Sequence, residues 1–398
     1  MNIGAIICEY NPFHEGHRLH IDRTRQALGE DCAIVCLMSG SFVQRGEPAI
    51  YSKHGRAAMA LESGADLVLE LPAPWSMASA ERFAAGAVSI LKSLGLPMTL
   101  SFGSECGDVD RLRAVAEALD SPAAAAAVSA QLAAGVSYAA ARESALRLIM
   151  GAEADLLRGP NNILAVEYLK SIRRLDAGAI SAMTIPRQGA GHDGPEEGNT
   201  ASASRLRELI KAGQPVAAFV PASAVRIMEE ERARGLGPIF PEGLESAALY
   251  RLRTMTEEEY AALPDATEGL WRRLMEAGRS QSSLDAVLAA VKTKRYAMSR
   301  LRRMVMAALI GLTAAEQLSP PPYIRVLGAN ARGVAVLRRA GDVTEKPIIT
   351  KPAAVRKLEP QARAVFLREA MATDIRSLAA QPPLPAGLDW TTSPVISL

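Results

Sequence analysis

Four cysteines in 398 residues (Cys8, Cys32, Cys36 and Cys106), with no Cys-x-x-Cys pair among them, make neither a disulfide framework nor a zinc ribbon. The first three sit in apolar runs, where a buried thiol is the plain expectation. No uninterrupted apolar stretch approaches the roughly 18 residues that a membrane span needs. The N-terminus reads straight into Ile3-Gly4-Ala5-Ile6-Ile7, without a basic leader region or cleavage site. The chain is therefore expected to be soluble and cytoplasmic, with no membrane partner. A dominant charge sign is missing too: 45 Lys+Arg face 43 Asp+Glu, and a net +2 excludes no partner because opposed regions can cancel. What is plentiful is apolar residue, 49% against 22% charged, which rules out disorder, collagen and a disulfide-stapled miniprotein. The length suits two or three domains with a sizeable core.

Short β-branched runs alternate with helical patterns through the first half. Ile3–Cys8, Cys32–Met38, Asp66–Leu71, Met98–Phe102 and Ala179–Ile185 read as strands. Between them Gly16–Leu28, Lys53–Ser63, Ser76–Lys92, an Ala-rich stretch over 109–150 and Asn162–Ile172 read as helices. That rhythm predicts an α/β fold, a Rossmann-like parallel sheet with crossover helices. Ligands in such sheets bind beyond the carboxyl ends of the strands. The polar segments after Cys8, Met38 and Phe102 fall there, the second of them a loop from Ser39 to Ser52. Residues 188–200, with four glycines, His192 and Asp193, read as a mobile loop, and a helix starts near Ser204. Beyond Pro221 the pattern is almost wholly helical, ending in a Pro-rich tail from Gln381. The expected division is a catalytic domain over 1–220 and a mainly helical, basic domain over 221–398.

Between Lys292 and Pro360 there are fourteen Lys+Arg and four Asp+Glu, a surplus of ten in a chain whose net charge is +2. A basic stretch can be no more than a solvated helix face, but so one-sided a surplus also suits an anionic partner such as nucleic acid.

Most chemical information lies in Cys8-Glu9-Tyr10-Asn11-Pro12-Phe13-His14-Glu15-Gly16-His17. Pro12 bars helix before it, and Gly16 lets backbone approach a ligand where the helix begins. His14 and His17 share the face of a first helical turn, whose free N–H groups and positive dipole end already suit an anion. Two imidazoles there suggest a polyphosphate, with charge building on phosphorus in an in-line displacement. A metal held by these residues and His20 is a competing reading. The spacing is not His-Glu-x-x-His, however, and no cysteine or acidic pair completes a tetrahedral site. Histidines with no chemical role are the third reading.

His14-Glu15-Gly16-His17 after an apolar strand resembles the HxGH signature of the nucleotidyltransferase superfamily, whose members bring a nucleotide α-phosphate under attack and release pyrophosphate. Further segments narrow the resemblance: Met38-Ser39-Gly40-Ser41-Phe42-Val43-Gln44-Arg45-Gly46-Glu47-Pro48, Phe102-Gly103-Ser104-Glu105, Gly159-Pro160-Asn161-Asn162-Ile163-Leu164 and Pro322-Tyr323-Ile324-Arg325-Val326-Leu327-Gly328. Together they are similar to the bacterial tRNA(Met) cytidine acetate ligases. The resemblance implies activation of acetate by ATP as acetyl-adenylate, then transfer of the acetyl group to N4 of the wobble cytidine of elongator methionine tRNA.

It also implies that the stretch Ile7, Cys8, Glu9, Tyr10, Asn11, Pro12, Phe13, His14, Glu15, Gly16, His17, Arg18, Leu19 and His20 wraps ATP, with His14 and His17 catalytic at the phosphates. Gly103, Asn162 and Arg187 match further ATP contacts. Ser204 and Arg207 resemble a second phosphate motif, with Ser204 where a threonine is more usual. Gln44, Arg45 and Glu47 are expected near acetate or the incoming cytosine. Lys53, whose charge opposes its helix dipole, implies an anion nearby. Lys292, Lys294, Arg295 and Arg325 are the expected tRNA contacts. Mg²⁺ is expected from the charge of ATP, although no Asp pair announces a protein site. Two other functions stay open: an adenylyltransferase acting on a small phosphorylated cofactor precursor, to which a second basic domain would be surplus, and a non-catalytic RNA-binding factor with a nucleotide pocket.

Overall fold

The computed structural model describes residues 1–187 and 201–397. The expected loop over 188–200, with His192 and Asp193, lies outside the described residues. Ten strands occur among the described residues: β1 Ile3–Cys8, β2 Ala33–Ser39, β3 Phe42–Val43, β4 Glu47–Pro48, β5 Leu67–Leu71, β6 Met98–Ser104, β7 Ile180–Pro186, β8 Ile324–Asn330, β9 Ile348–Ile349 and β10 Val395–Ser397. Eight of them form one sheet in the order β10-β8-β5-β2-β1-β6-β7, with β9 against the start of β8, while β3 and β4 make a separate hairpin. The expected parallel core is present from β5 to β7, and β8 runs antiparallel to β5.

Every residue of β2 and β5 is buried, as a continuous apolar run in a doubly covered strand requires. Ala33, Val35 and Leu37 join a core with Phe83, Val88 and Leu91 on one face. Ile34, Cys36 and Met38 alternate onto the other face, against Ile21, Ala57 and Leu61. Gly4 in β1 is required by contact: a Cβ there would lie 2.9 Å from Thr24 Cγ2 and 3.2 Å from Ile34 Cδ1. Its absence lets the helix Glu15–Leu28 lie close on the strand. The chain runs β1, β2, β5 outward on one side, then returns to place β6 and β7 on the other side of β1. That reversal opens a crevice at the carboxyl ends of β1 and β6.

Three expectations are corrected. The region beyond 220 is not one helical domain. Helices from Glu245–Thr254 to Met298–Ile310 pack around Leu252, Tyr260, Leu274 and Met304, a core that Phe42, Met77 and Ala372 also join, while the helix Ala222–Ala233 packs its Ala224, Ile227 and Met228 into the sheet-face core with Ala57; β8, β9 and β10 then complete the main sheet. The separate helical part is thus set within 239–317, because the apolar edge of β5 needs a partner and β8 supplies it. The segment 39–52 is not a solvated loop: Phe42, Val43, Ala49, Ile50 and Tyr51 are buried, and Asn11 Oδ1 accepts from the Ile50 N–H at 2.7 Å. The final Pro-rich stretch is no loose tail either. It carries the buried Asp389, discussed below, and β10.

Candidate active site

Ring and backbone geometry at the end of β1 is set by local hydrogen bonding. His14 has extended backbone and caps the helix Glu15–Leu28: its Nδ1 accepts from the Gly16 N–H at 3.1 Å, and His17 Nδ1 accepts from the His14 N–H at 3.3 Å. The two rings stack with centroids 3.7 Å apart. Because each Nδ1 accepts, each neutral ring carries its proton on Nε2, the nitrogen facing away from the helix backbone. Burial lowers both histidines, His14 to about 3 and His17 well below its ordinary value, with the Arg187 charge adding to the effect on each. For His17 the neighbouring His14 contributes more than Arg187 does. His20 is likewise lowered to about 4 by burial and then Arg187, and its Nε2 lies 2.9 Å from Ser101 Oγ. Tyr10 adopts a left-handed φ of 48°, unusual for a residue with a side chain, and its hydroxyl meets Cys36 Sγ at 3.2 Å. Strain of this kind collects where a turn must present side chains to a site.

These groups wall a cavity of about 230 Å³. Of the expected stretch, Ile7, Cys8, Glu9, Tyr10, Asn11, His14, His17 and His20 line it. The other six do not, because the strand end and one helix face point inward while the remainder turn away. Phe13 is fully buried in the core, Arg18 pairs with Glu15 at 2.7 Å on the surface, and Leu19 is exposed. The Gly16 N–H is spent on His14, and Pro12 lies outside the cavity wall.

Across the cavity stand Gly103, Asn161 and Arg187. A Cβ on Gly103 would lie 3.2 Å from Arg187 Cγ, so the glycine makes room for the arginine stem. Asn162 stands one position behind the wall. It is buried, and its Oδ1 accepts from the Glu105 and Cys106 N–H groups at 3.0 and 3.2 Å. Asn161 takes the wall position, with Arg187 Nη1 donating to its Oδ1 at 3.3 Å. Glu105 in return accepts from the Asn161 and Asn162 N–H groups at 3.1 and 2.7 Å.

A third wall is the start of the helix Ala203–Lys211. Ser202 caps it, accepting from the Arg205 N–H at 3.2 Å, and Ser204 remains at the cavity. Arg207 Nη1 donates to Asn11 O at 2.9 Å and Nη2 to Ser204 Oγ at 3.3 Å. The β3–β4 hairpin closes the fourth side with Gln44, Arg45 and Glu47. The Gln44 N–H donates to Glu9 Oε1 at 2.8 Å, and Glu47 Oε1 pairs with Arg302 Nη1 at 2.7 Å. Gly46, at φ +75°, lets the hairpin touch the helix Met298–Ile310, for a Cβ there would collide with the Arg302–Arg303 backbone. A second cavity of about 340 Å³ shares Arg45, Glu47, Ser204 and Arg207 with the first and opens toward the helical region.

Two expected residues lie elsewhere. Lys53 is buried, with Nζ 2.6 Å from Glu70 Oε1, 3.1 Å from Glu369 Oε1 and 2.8 Å from Asp389 Oδ2. The anion its position implied is three protein carboxylates, so it is no ligand for phosphates or substrate. Arg325 is buried in the same cluster, 2.9 Å from Glu70 and 3.1 Å from Asp389, and is withdrawn as a tRNA contact. Lys292 and Lys294 are exposed; Lys292 Nζ donates to Thr293 O at 3.0 Å, and the half-exposed Arg295 pairs with Glu268 at 2.8 Å. Arg56 was not anticipated. Fully buried, it donates to the carbonyls of Glu9, Ser39, Gly40 and Tyr51, tying the end of β1 to the hairpin. A lone arginine in a helical pattern carried no signal of this.

Stacked Nε2–H donors, the Ser204 hydroxyl and arginines around one crevice can hold a polyphosphate and stabilise charge growing on it. Among the described residues no three of His, Cys, Asp or Glu gather to hold a metal ion. A reversed parallel sheet with this histidine pair at its switch point defines a nucleotidyltransferase, and residues 1–386 match the family model described as HIGH Nucleotidyl Transferase. Relatives named tRNA(Met) cytidine acetate ligase include those of Acetivibrio thermocellus, 34% identical with all of both chains covered, and Thermoanaerobacter sp., 36% identical with the same coverage. The crystal structure of Thermotoga maritima TmcAL in its apo form superposes with a TM-score of 0.95 at 29% identity, covering 100% of this chain and 99% of that one. TmcAL bound with alpha-thio ATP gives 0.92 at the same identity and coverage. The chain belongs to the tRNA(Met) cytidine acetate ligase family.

Proposed function

We propose that the protein is an ATP-dependent ligase that forms acetyl-adenylate and transfers the acetyl group to N4 of the wobble cytidine of elongator tRNA(Met), giving N4-acetylcytidine. The observation that carries this reading is the stacked His14–His17 pair at the helix start, in a chain matched along its whole length by relatives bearing that name. Acetate is already a nucleophile at neutral pH, so the first step needs no general base. One carboxylate oxygen attacks the α-phosphorus and pyrophosphate departs. His14 and His17, neutral before ATP binds, act on the α-phosphate side as Nε2–H donors, while Ser204 and Arg207 receive the departing pyrophosphate. Gly103, Asn161 and Arg187 form the nucleotide's far wall. Mg²⁺ arrives with the ATP phosphates as part of the substrate, since the described donor set includes no cluster suited to holding it.

Cytosine N4 is a poor nucleophile because its lone pair is delocalised into the ring. The second step therefore depends on holding it in line with the mixed anhydride, away from water. The wobble base must leave the anticodon stack to enter. The second cavity beside the hairpin is its route in, with Gln44, Arg45 and Glu47 at the junction. In this reading the catalytic unit is the sheet with its crossover helices, and the helical region carries tRNA, with Lys292, Lys294 and Arg295 near the phosphates. Substrates of this kind place the work in the cytoplasm; no helix among the described residues is long and apolar enough to cross a membrane.

The test combines purified protein, labelled acetate, ATP and bulk bacterial tRNA, followed by nucleoside analysis. Labelled N4-acetylcytidine should appear only when ATP and acetate are both present. ATP split to AMP and pyrophosphate with another acceptor, and no label in RNA, would move the function to the adenylyltransferase reading.

A further inference from the structure

We propose that Glu9 is the group that recognises the exocyclic amine of the acceptor cytosine and takes its proton during acetyl transfer, an assignment that rests on the ligase reading above. The cavity is otherwise rich in donors: His14, His17, Arg45, Arg187 and Arg207. Such a wall suits phosphates, which a carboxylate repels, so Glu9 serves a different part of the reaction. The other acidic side chain at the wall, Glu47, is already paired with Arg302. Glu9 stands half-buried at the end of β1, and its Oε1 accepts from the Gln44 N–H at 2.8 Å. Among the described residues Oε2 is given no hydrogen-bond donor, and the side chain lines the cavity.

The tie to Gln44 puts this carboxylate against the hairpin, where the two cavities share Arg45 and Glu47. A carboxylate is the natural acceptor for cytosine N4–H. Burial raises Glu9 above the usual carboxylate range, which makes it a better base near neutrality; the Gln44 N–H, Arg207, Arg45 and Arg56 act against that rise. Tyr168, from the helix Pro160–Arg174, and Cys8 also border the cavity, both with pKa values raised chiefly by burial and so neutral. In the transfer step the N4 lone pair bonds to the acetyl carbonyl carbon. The bond from that carbon to the phosphate oxygen breaks, and its electron pair leaves with AMP. The N4 proton passes to Glu9 Oε2 and then to solvent.

Glu9→Gln keeps the acceptor for the Gln44 N–H but removes the base. The two half-reactions are measured separately: acetate-dependent ATP–pyrophosphate exchange, and single-turnover transfer from preformed acetyl-adenylate to tRNA across a pH series. Transfer should fall at least about thirtyfold further than exchange, and its pH profile should lose the acid limb. Glu9→Asp should keep that limb with a slower transfer, and its transfer-to-exchange ratio decides the matter if Glu9→Gln does not fold. Equal losses in both half-reactions, a loss confined to KM for ATP, or unchanged transfer overturn the assignment. Exchange by the wild-type enzyme without acetate would sink the ligase reading together with it, whereas any of the other three results sinks the Glu9 assignment alone.

Discussion

Two charge-rich clusters lie at the same end of the sheet, and they are built on opposite plans. Around the cavity, His14 and His17 spend Nδ1 on local backbone and leave Nε2 toward open space, with Arg207 tied to Asn11 O and Ser204 Oγ at the wall beside them. Beneath the hairpin, Lys53, Arg325, Glu70, Glu369 and Asp389 spend nearly everything on one another. Thr373 joins them, its Oγ1 2.7 Å from Ser41 Oγ and 2.9 Å from Asp389 Oδ2, while the Ala73 N–H donates to Glu369 at 2.6 Å. In the second cluster burial pushes the Glu369 carboxyl up to about 7, and Lys53 and Arg325 hold Asp389 low against its own burial. The residue types alone do not tell a binding site from a strut. What separates them is whether donors remain after the protein has satisfied its own acceptors.

The largest effect should come from the open cluster. His14→Ala should lower acetate-dependent ATP–pyrophosphate exchange by roughly 10²–10³-fold, the scale of losing one preorganised donor. The lost cap should cost about 1 kcal/mol in thermal unfolding. Exchange within a few-fold of wild type would take His14 out of the chemistry. The closed cluster should behave in the reverse sense. Lys53→Met leaves three buried carboxylates with Arg325 alone and Glu369 with no cation among the described residues, so unfolding should become easier by about 3–5 kcal/mol. Exchange per folded molecule should hold within a few-fold, as checked at a temperature where the variant is folded. A stable variant that had lost exchange would return Lys53 to the phosphates.

The neutral histidines sharpen the contrast through pH. Their folded pKa values lie below the free value near 6.5, with His14 at about 3 and His20 at about 4. The stability they contribute is complete above pH 6.5 and is lost as the pH falls toward those values. Bound phosphates would favour the charged imidazoles, so ATP binding at pH 6 should take up protons. Calorimetry in two buffers of different ionisation enthalpy would show it, and uptake equal to that of the His14→Ala, His17→Ala variant would break the link. The smallest effect belongs to the surface. Lys294→Glu should weaken tRNA binding a few-fold and reduce its salt slope by about one phosphate contact. An unchanged slope would remove Lys294 from the interface.

The strands of the first half were legible because parallel-sheet strands are continuous apolar runs, and His14 to His17 because strand end, helix start and chemistry coincide within ten residues. Asn161 escaped notice for a one-residue reason: adjacent positions on a helix face different ways, and only packing shows that Asn161 lines the cavity in front of Asn162. Lys53 and Arg325 were misjudged for a longer-range one. Their carboxylate partners stand 17, 316 and 336 residues from Lys53, and 255 and 64 residues from Arg325, separations no local pattern encodes.

By itself, then, the sequence determined the α/β class, the order of the first strands and the histidine turn, since each follows from hydrogen-bonding and burial demands within a short window. The tertiary structure alone decided which charges face the cavity and which cancel inside, that the 39–52 segment is buried, and that the chain returns through β8 to complete the sheet. Those outcomes depend on groups distant along the chain meeting in a medium too poor in water to leave a charge unpaired.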